Sequence, residues 1–151
     1  MVTVSITSQP GTPYRHELKA RSHTIYADAP ATLKGGDTGP TPHELALMGL
    51  GACTAMTLEM YAANKKWDLQ QVTVTVTEDS IDDPEQPGTK IPRITEDIQM
   101  LGNLTPAQIT TLKTIAEKCP VYKLFTGKKE VVTKTSHTSK TGPQSAAPVT
   151  P

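Results

Sequence analysis

Val2, Val4 and Ile6 alternate with Thr3, Ser5 and Thr7, and this period of two predicts a first strand with one buried face. Residues 8–13 (Ser-Gln-Pro-Gly-Thr-Pro) read as a turn, and residues 16–21 and 23–28 as two further short strands forming a hairpin. Gly35-Gly36 and Gly39-Pro40 break residues 29–40 into loop. A long helix is expected over residues 42–65, with Thr41 as N-cap, Pro42 in the first helical position and Glu44 completing a capping box. Its interior is unusual. Gly49 and Gly51 each cost about 1 kcal/mol of helix propensity relative to Ala, and a thiol, Cys53, follows directly. Val72, Val74 and Val76 alternate with threonines in a fourth strand. Residues 78–90 are acidic and hold Pro84, Pro87 and Gly88, so an exposed connection is expected there.

Residues 91–101 return as a strand, with Pro92 marking an edge or bulge at its start. Thr105, Pro106 and Gln108 repeat the opening of the first helix, and Ile109, Leu112, Ala116 and Cys119 then share one helical face. Pro120 should end that helix and start a short turn through Phe125. Residues 129–135 read as a last strand, and residues 136–151 as a flexible tail of Ser, Thr, Pro, Ala and Gly. The order βββ-α-ββ-αα-β predicts an antiparallel α+β fold, one domain over residues 1–135 followed by the tail 136–151.

Composition narrows the function classes. The 151 residues carry 15 basic and 15 acidic side chains, without a run of like charges, so no long-range attraction for nucleic acid or an anionic membrane is expected. Glu44, Glu59 and small polar residues interrupt the apolar helix, which argues against a membrane span. Residues 1–4 alternate like a strand and lack the pattern of a signal peptide, so a cytoplasmic protein with reduced cysteines is expected. One Phe, one Trp and four Tyr leave a core of aliphatic residues, Met and Ala, thin enough to leave apolar surface for a partner chain.

Cys53 and Cys119 admit two readings. Both fit as small buried hydrophobes. Equally, Met56 and Met60 follow Cys53 at helical spacing and give it an apolar wall. Cys119 directly precedes Pro120 at a helix start, where peptide N–H groups favour a thiolate and Lys118 and Lys123 add positive charge. Such thiols could act as a peroxidatic and resolving pair. With no CxxC and no ligand spacing to His16, His23, His43 or His137, a metal site is not expected, nor is a cofactor.

Gly35-Gly36-Asp37, Gly39-Pro40-Thr41-Pro42-His43-Glu44-Leu45, and Leu50-Gly51-Ala52-Cys53-Thr54-Ala55-Met56-Thr57 together resemble the OsmC/Ohr family of osmotically inducible and organic-hydroperoxide-resistance proteins. Cys119-Pro120-Val121 after an amphipathic helix resembles the family's second cysteine motif, and the resemblance covers about residues 1–135. It implies an OsmC-like fold, with antiparallel sheets around a long central helix, in an intertwined homodimer whose active sites lie between subunits. It implies a thiol peroxidase in which Cys53 attacks an organic hydroperoxide and becomes a sulfenic acid, and Cys119 resolves it as a disulfide. A dithiol such as dihydrolipoamide would be the reductant. In the dimer, Gly49, Gly51, Ala52 and Ala55 would let helices approach closely.

In the family's peroxidases an Arg and a Glu polarise the catalytic thiolate, the Glu ten residues before the first cysteine. His43 holds that position here. The carboxylate is Glu44, nine before, which at about 100° per residue faces away from Cys53. Arg15, Arg21 and Arg93 are the candidates for the Arg, and Lys34 is the basic residue nearest the expected loop position. Tyr122 stands where many relatives of the OsmC-like subgroup carry His. Two functions are therefore expected to compete: a cysteine-based organic hydroperoxide reductase, and a non-catalytic dimer binding an apolar small molecule in the interface pocket.

Overall fold

A computed structural model describes residues 1–138. Three strands, β1 (Ser5–Ser8), β2 (His16–Ala20) and β3 (His23–Ala27), form an antiparallel sheet in the order β1-β2-β3. A single 3-10 turn at Ala31–Leu33 leads to the central helix α1 (Pro42–Lys65). β4 (Asp68–Asp82) and β5 (Lys90–Asn103) then pair as a long two-stranded antiparallel ribbon, followed by α2 (Pro106–Ala116) and α3 (Pro120–Thr126). The α+β class and the antiparallel sheets agree with the sequence reading.

Both capping boxes form. Thr41 accepts the Glu44 N–H while its own N–H donates to the Glu44 carboxylate at 2.7 Å, and Thr105 and Gln108 do the same for α2. Three expectations change. The first strand sits at residues 5–8 rather than 2–7, because only Ser5–Ser8 find partners on β2. The expected connection over residues 78–90 shortens to 83–89. Its acidic N-terminal half stays extended because Asp79 pairs with Arg93 and Asp82 with Lys90 across the ribbon. Residues 129–135 form no strand, and Val131 and Val132 lie exposed with no ladder to join. Of the expected tail, residues 139–151 lie outside the described residues.

The core sits where α1 crosses the ribbon. Leu58, Leu112, Ile115 and Ala116 are buried together, with Trp67, Val72, Ile98 and Met100 packed against them. Gly51 allows the approach: a Cβ there would meet Val76 Cγ2 at 3.0 Å. Its small size therefore serves helix-to-strand packing inside the chain, whereas Gly49 faces open space. At the far end of the ribbon a bulge between Leu69 and Gln71 needs Gly102 at φ +148°, with no room for a side chain beside the Asp68 carbonyl.

Among the described residues, two apolar faces remain uncovered. Leu50, Thr54, Leu58 and Ala62 form the inward stripe of α1 at four-residue spacing. Met48, Ala52, Met56 and Met60 repeat that spacing about 200° around the helix, and the three methionines are exposed. On the first sheet Ile6, Leu18 and Ile25 stand in one cross-strand row, yet Ile6 and Ile25 are more than half exposed. By length and composition α1 is apolar enough to cross a bilayer. In the fold it is the central packing element, in contact with β4, α2 and α3.

Candidate active site

The helix positions Cys53 at a seam. Its neighbour Thr54 belongs to the buried stripe and Ala52 to the exposed one, so the Cys53 thiol is half-buried between covered and uncovered faces. Thr57 ties its hydroxyl to the Cys53 carbonyl at 2.7 Å, one turn on. Cys119 is fully buried and serves as N-cap of α3, its carbonyl accepting the Lys123 N–H. Pro120 in the first position ends α2 and restarts the helix, as the sequence predicts. Packing of α3 against α1 brings the two thiols, 66 residues apart in sequence, close enough that each influences the ionisation of the other. Both are free thiols.

Their electrostatics differ. Burial pushes the Cys53 thiol up, and the adjacent Cys119 adds to the rise against weaker pulls from the Val121 N–H and the Thr57 hydroxyl. Burial opposes a charge on Cys119 as well. There, hydrogen bonding from Cys53 and from the Tyr122 and Val121 N–H groups outweighs burial, with the Thr54 hydroxyl favouring the charged form as well, and the thiol is held below its ordinary value. When the pair carries one negative charge, these directions favour it on Cys119 and the proton on Cys53.

The remaining candidates lie elsewhere. Glu44 is engaged in its capping box, where the Thr41 N–H and hydroxyl hold its carboxyl below the usual range. His43 Nε2 lies 2.9 Å from Glu78 Oε2. Arg15 stacks over the Tyr26 ring at 4.3 Å, with its Nε buried and unpaired. Arg21 occupies the turn between β2 and β3 at φ +56°, Arg93 pairs with Asp79, and Lys34 closes the 3-10 turn at φ +65°. None of the six is among the groups that set the ionisation of either thiol.

Two clefts flank the pair. One of about 340 Å³ is lined by Glu44, Leu47, Met48, Gly51, Val74 and Val76, the other of about 450 Å³ by Leu50, Ile94, Glu96, Tyr122 and Phe125. Neither is lined by Cys53. Sequence reasoning overlooked Thr54, whose hydroxyl favours the charged form of Cys119, because its place beside glycines and alanines reads as packing. It also missed Asp28, which is buried and accepts hydrogen bonds from the Thr38 hydroxyl (2.7 Å) and from the N–H groups of Thr38 and Ala29. Its position before a loop of small residues was the available signal.

The family model for OsmC-like proteins matches residues 35–135. No curated protein matches the chain. Among solved structures, the fold is similar to an OsmC-like protein from Mycoplasma pneumoniae, at 18% identity and a TM-score of 0.67 over 84% of this chain and 88% of that one. It is similar to an organic hydroperoxide resistance protein, OsmC, from Legionella pneumophila, at 20% identity and a TM-score of 0.59 over 84% and 90%. Likewise it resembles the organic hydroperoxide resistance protein OhrB of Bacillus subtilis, at 18% identity and a TM-score of 0.56 over 84% and 91%.

Proposed function

The chain belongs to the OsmC-like protein family, and from that premise we propose that it is a homodimeric thiol peroxidase that reduces organic hydroperoxides to alcohols. The observation that carries this reading is the neighbouring thiol pair, half-buried Cys53 against fully buried Cys119. Exposure supports a division of roles. A hydroperoxide can reach Cys53 but not Cys119, so Cys53 attacks the distal peroxide oxygen and the O–O bond breaks. The Cys53 proton passes to the Cys119 thiolate, the product alkoxide takes a proton from water, and Cys53 is left as a sulfenic acid. The Cys119 thiol then condenses with it, releasing water and forming the disulfide. A dithiol reductant of the dihydrolipoamide kind would reopen it.

The second subunit supplies what a single chain lacks. The exposed methionine stripe of α1 lies next to Cys53 on the helix, and a partner covering it would close an apolar pocket over Cys53. Such a pocket favours a bulky substrate, by roughly 25 cal/mol per Å² of apolar surface buried. Cumene hydroperoxide should therefore be consumed faster than hydrogen peroxide in the presence of a dithiol, and Cys53→Ser should abolish consumption of both. Equal rates for the two peroxides would remove the apolar pocket from this account. A competing reading, a dimer that binds an apolar molecule without chemistry, draws on the two mainly apolar clefts that leave out Cys53 and on the engagement of Arg93 with Asp79 and of Glu44 in its cap. Absence of any peroxide reaction in the reduced protein would favour it.

A further inference from the structure

Thr54 is a hydroxyl set in the apolar stripe Leu50, Leu58 and Ala62, and it is fully buried. Helical threonines commonly turn the hydroxyl back to the carbonyl four residues earlier. Thr57, Thr110 and Thr111 do so here, at 2.7, 3.0 and 2.8 Å. Among the described residues Thr54 Oγ1 makes no such bond and has no other hydrogen-bond partner. Leaving a buried hydroxyl unpaired is costly, and valine would fill the same space without that cost. The sulfur near enough to feel it is that of Cys119, also fully buried, whose charged form the Thr54 hydroxyl favours; that sulfur is a weak acceptor as a thiol or disulfide and a strong one as a thiolate. Thr54 thus gains its partner only when Cys119 is charged.

We infer that the Thr54 hydroxyl is the donor that stabilises Cys119 as the leaving thiolate when the Cys53–Cys119 disulfide is reduced, and so directs the reductant to Cys53. The inference depends on the proposed peroxidase only for the source of that disulfide. Access agrees, since Cys119 is fully buried and Cys53 is not. A thiolate of the dithiol attacks the Cys53 sulfur, the sulfur–sulfur bond breaks, and its electron pair goes to Cys119 beside Thr54 Oγ1. The second thiolate of the reductant then closes on the first, forming the reductant's own disulfide and expelling Cys53 as a thiolate. Disulfide exchange is faster when the departing thiol has the lower pKa.

The test uses full-length protein oxidised with diamide, so that its outcome is independent of any peroxidase activity. Thr54→Val keeps the volume and loses the donor, whereas Thr54→Ser keeps the donor and loses volume. Reopening by dithiothreitol should slow about tenfold in Thr54→Val, the size expected of a hydrogen bond to a charged group partly formed in the transition state, and stay near the parent rate in Thr54→Ser. In a Cys53→Ser background, the ultraviolet thiolate absorbance of Cys119 should titrate about one pH unit higher after Thr54→Val, and not after Thr54→Ser. Glutathione opening, followed by acid quench and alkylation in denaturant, should leave glutathione on Cys53 and the alkyl group on Cys119. A Thr54→Val protein that behaves like the parent, a Thr54→Ser protein as slow as Thr54→Val, or glutathione on Cys119 would each overturn the inference. If Thr54→Val does not fold, Thr54→Ala against Thr54→Ser makes the same comparison.

Discussion

At the scale of single residues, the thiol pair divides its labour through burial and hydrogen bonding. Cys119 is held below its ordinary value and Cys53 above, so the singly charged pair forms below the ordinary thiol range, near pH 8.5 for an isolated cysteine. Sulfenic acid formation should rise with pH through a midpoint below that range. Removing the base by Cys119→Ser leaves burial as the dominant influence on Cys53 and should move the midpoint upward, which stopped-flow rates across pH would measure. Asp28 gives a second prediction. Its carboxyl is depressed chiefly by the Thr38 hydroxyl and N–H, so its contribution to stability is complete above the ordinary carboxylate range, near pH 4. That contribution is lost as pH falls through the lower folded value. Asp28→Asn should lower Tm at neutral pH and leave a smaller difference from the parent at the acid end, measured by thermal melts across that interval. Neither Thr54 nor Asp28 was legible in the sequence as a site residue. What distinguishes each is an unpaired or multiply paired oxygen at a buried position, and burial arises from contacts between distant segments.

At the scale of elements, local chemistry was readable wherever the signal was local. The Thr-Pro-x-Glu and Thr-Pro-x-Gln openings set the starts of α1 and α2, and Pro120 set the start of α3. The reading slipped where an element depends on its partner. The acidic residues 78–82 look like loop by composition, but cross-strand cations at Lys90 and Arg93 keep them in β4. Val131 and Val132 alternate with nothing that pairs with them. Gly51 was expected to serve a helix–helix contact and instead admits Val76 of the same chain. Gly51→Val should therefore push α1 off the ribbon and destabilise the protein by about 1–3 kcal/mol, the range for overpacking. Leu58→Ala, in the centre of the same contact, should cost about 2–5 kcal/mol. Denaturant unfolding of each variant checks both.

At the scale of the whole molecule, the single chain is a half-closed object. One face of α1 is packed, the opposite face carries Met48, Met56 and Met60 in the open, and the first sheet presents Ile6 and Ile25 to solvent. A second copy is the proposed cover. Met56→Lys would put a charge into that contact, and sedimentation should then show the dimer replaced by monomer or by unfolded chain. The central claim, however, is chemical: Cys53 is the sulfur that meets the peroxide. Its most direct test is a single turnover of reduced Cys119→Ser protein with cumene hydroperoxide, at mildly alkaline pH with dimedone present, read by peptide mass spectrometry. The account predicts one equivalent of cumyl alcohol and a dimedone adduct on Cys53, with neither product from Cys53→Ser. Alcohol without an adduct on Cys53, or an adduct on Cys119 in the Cys53→Ser protein, would contradict it.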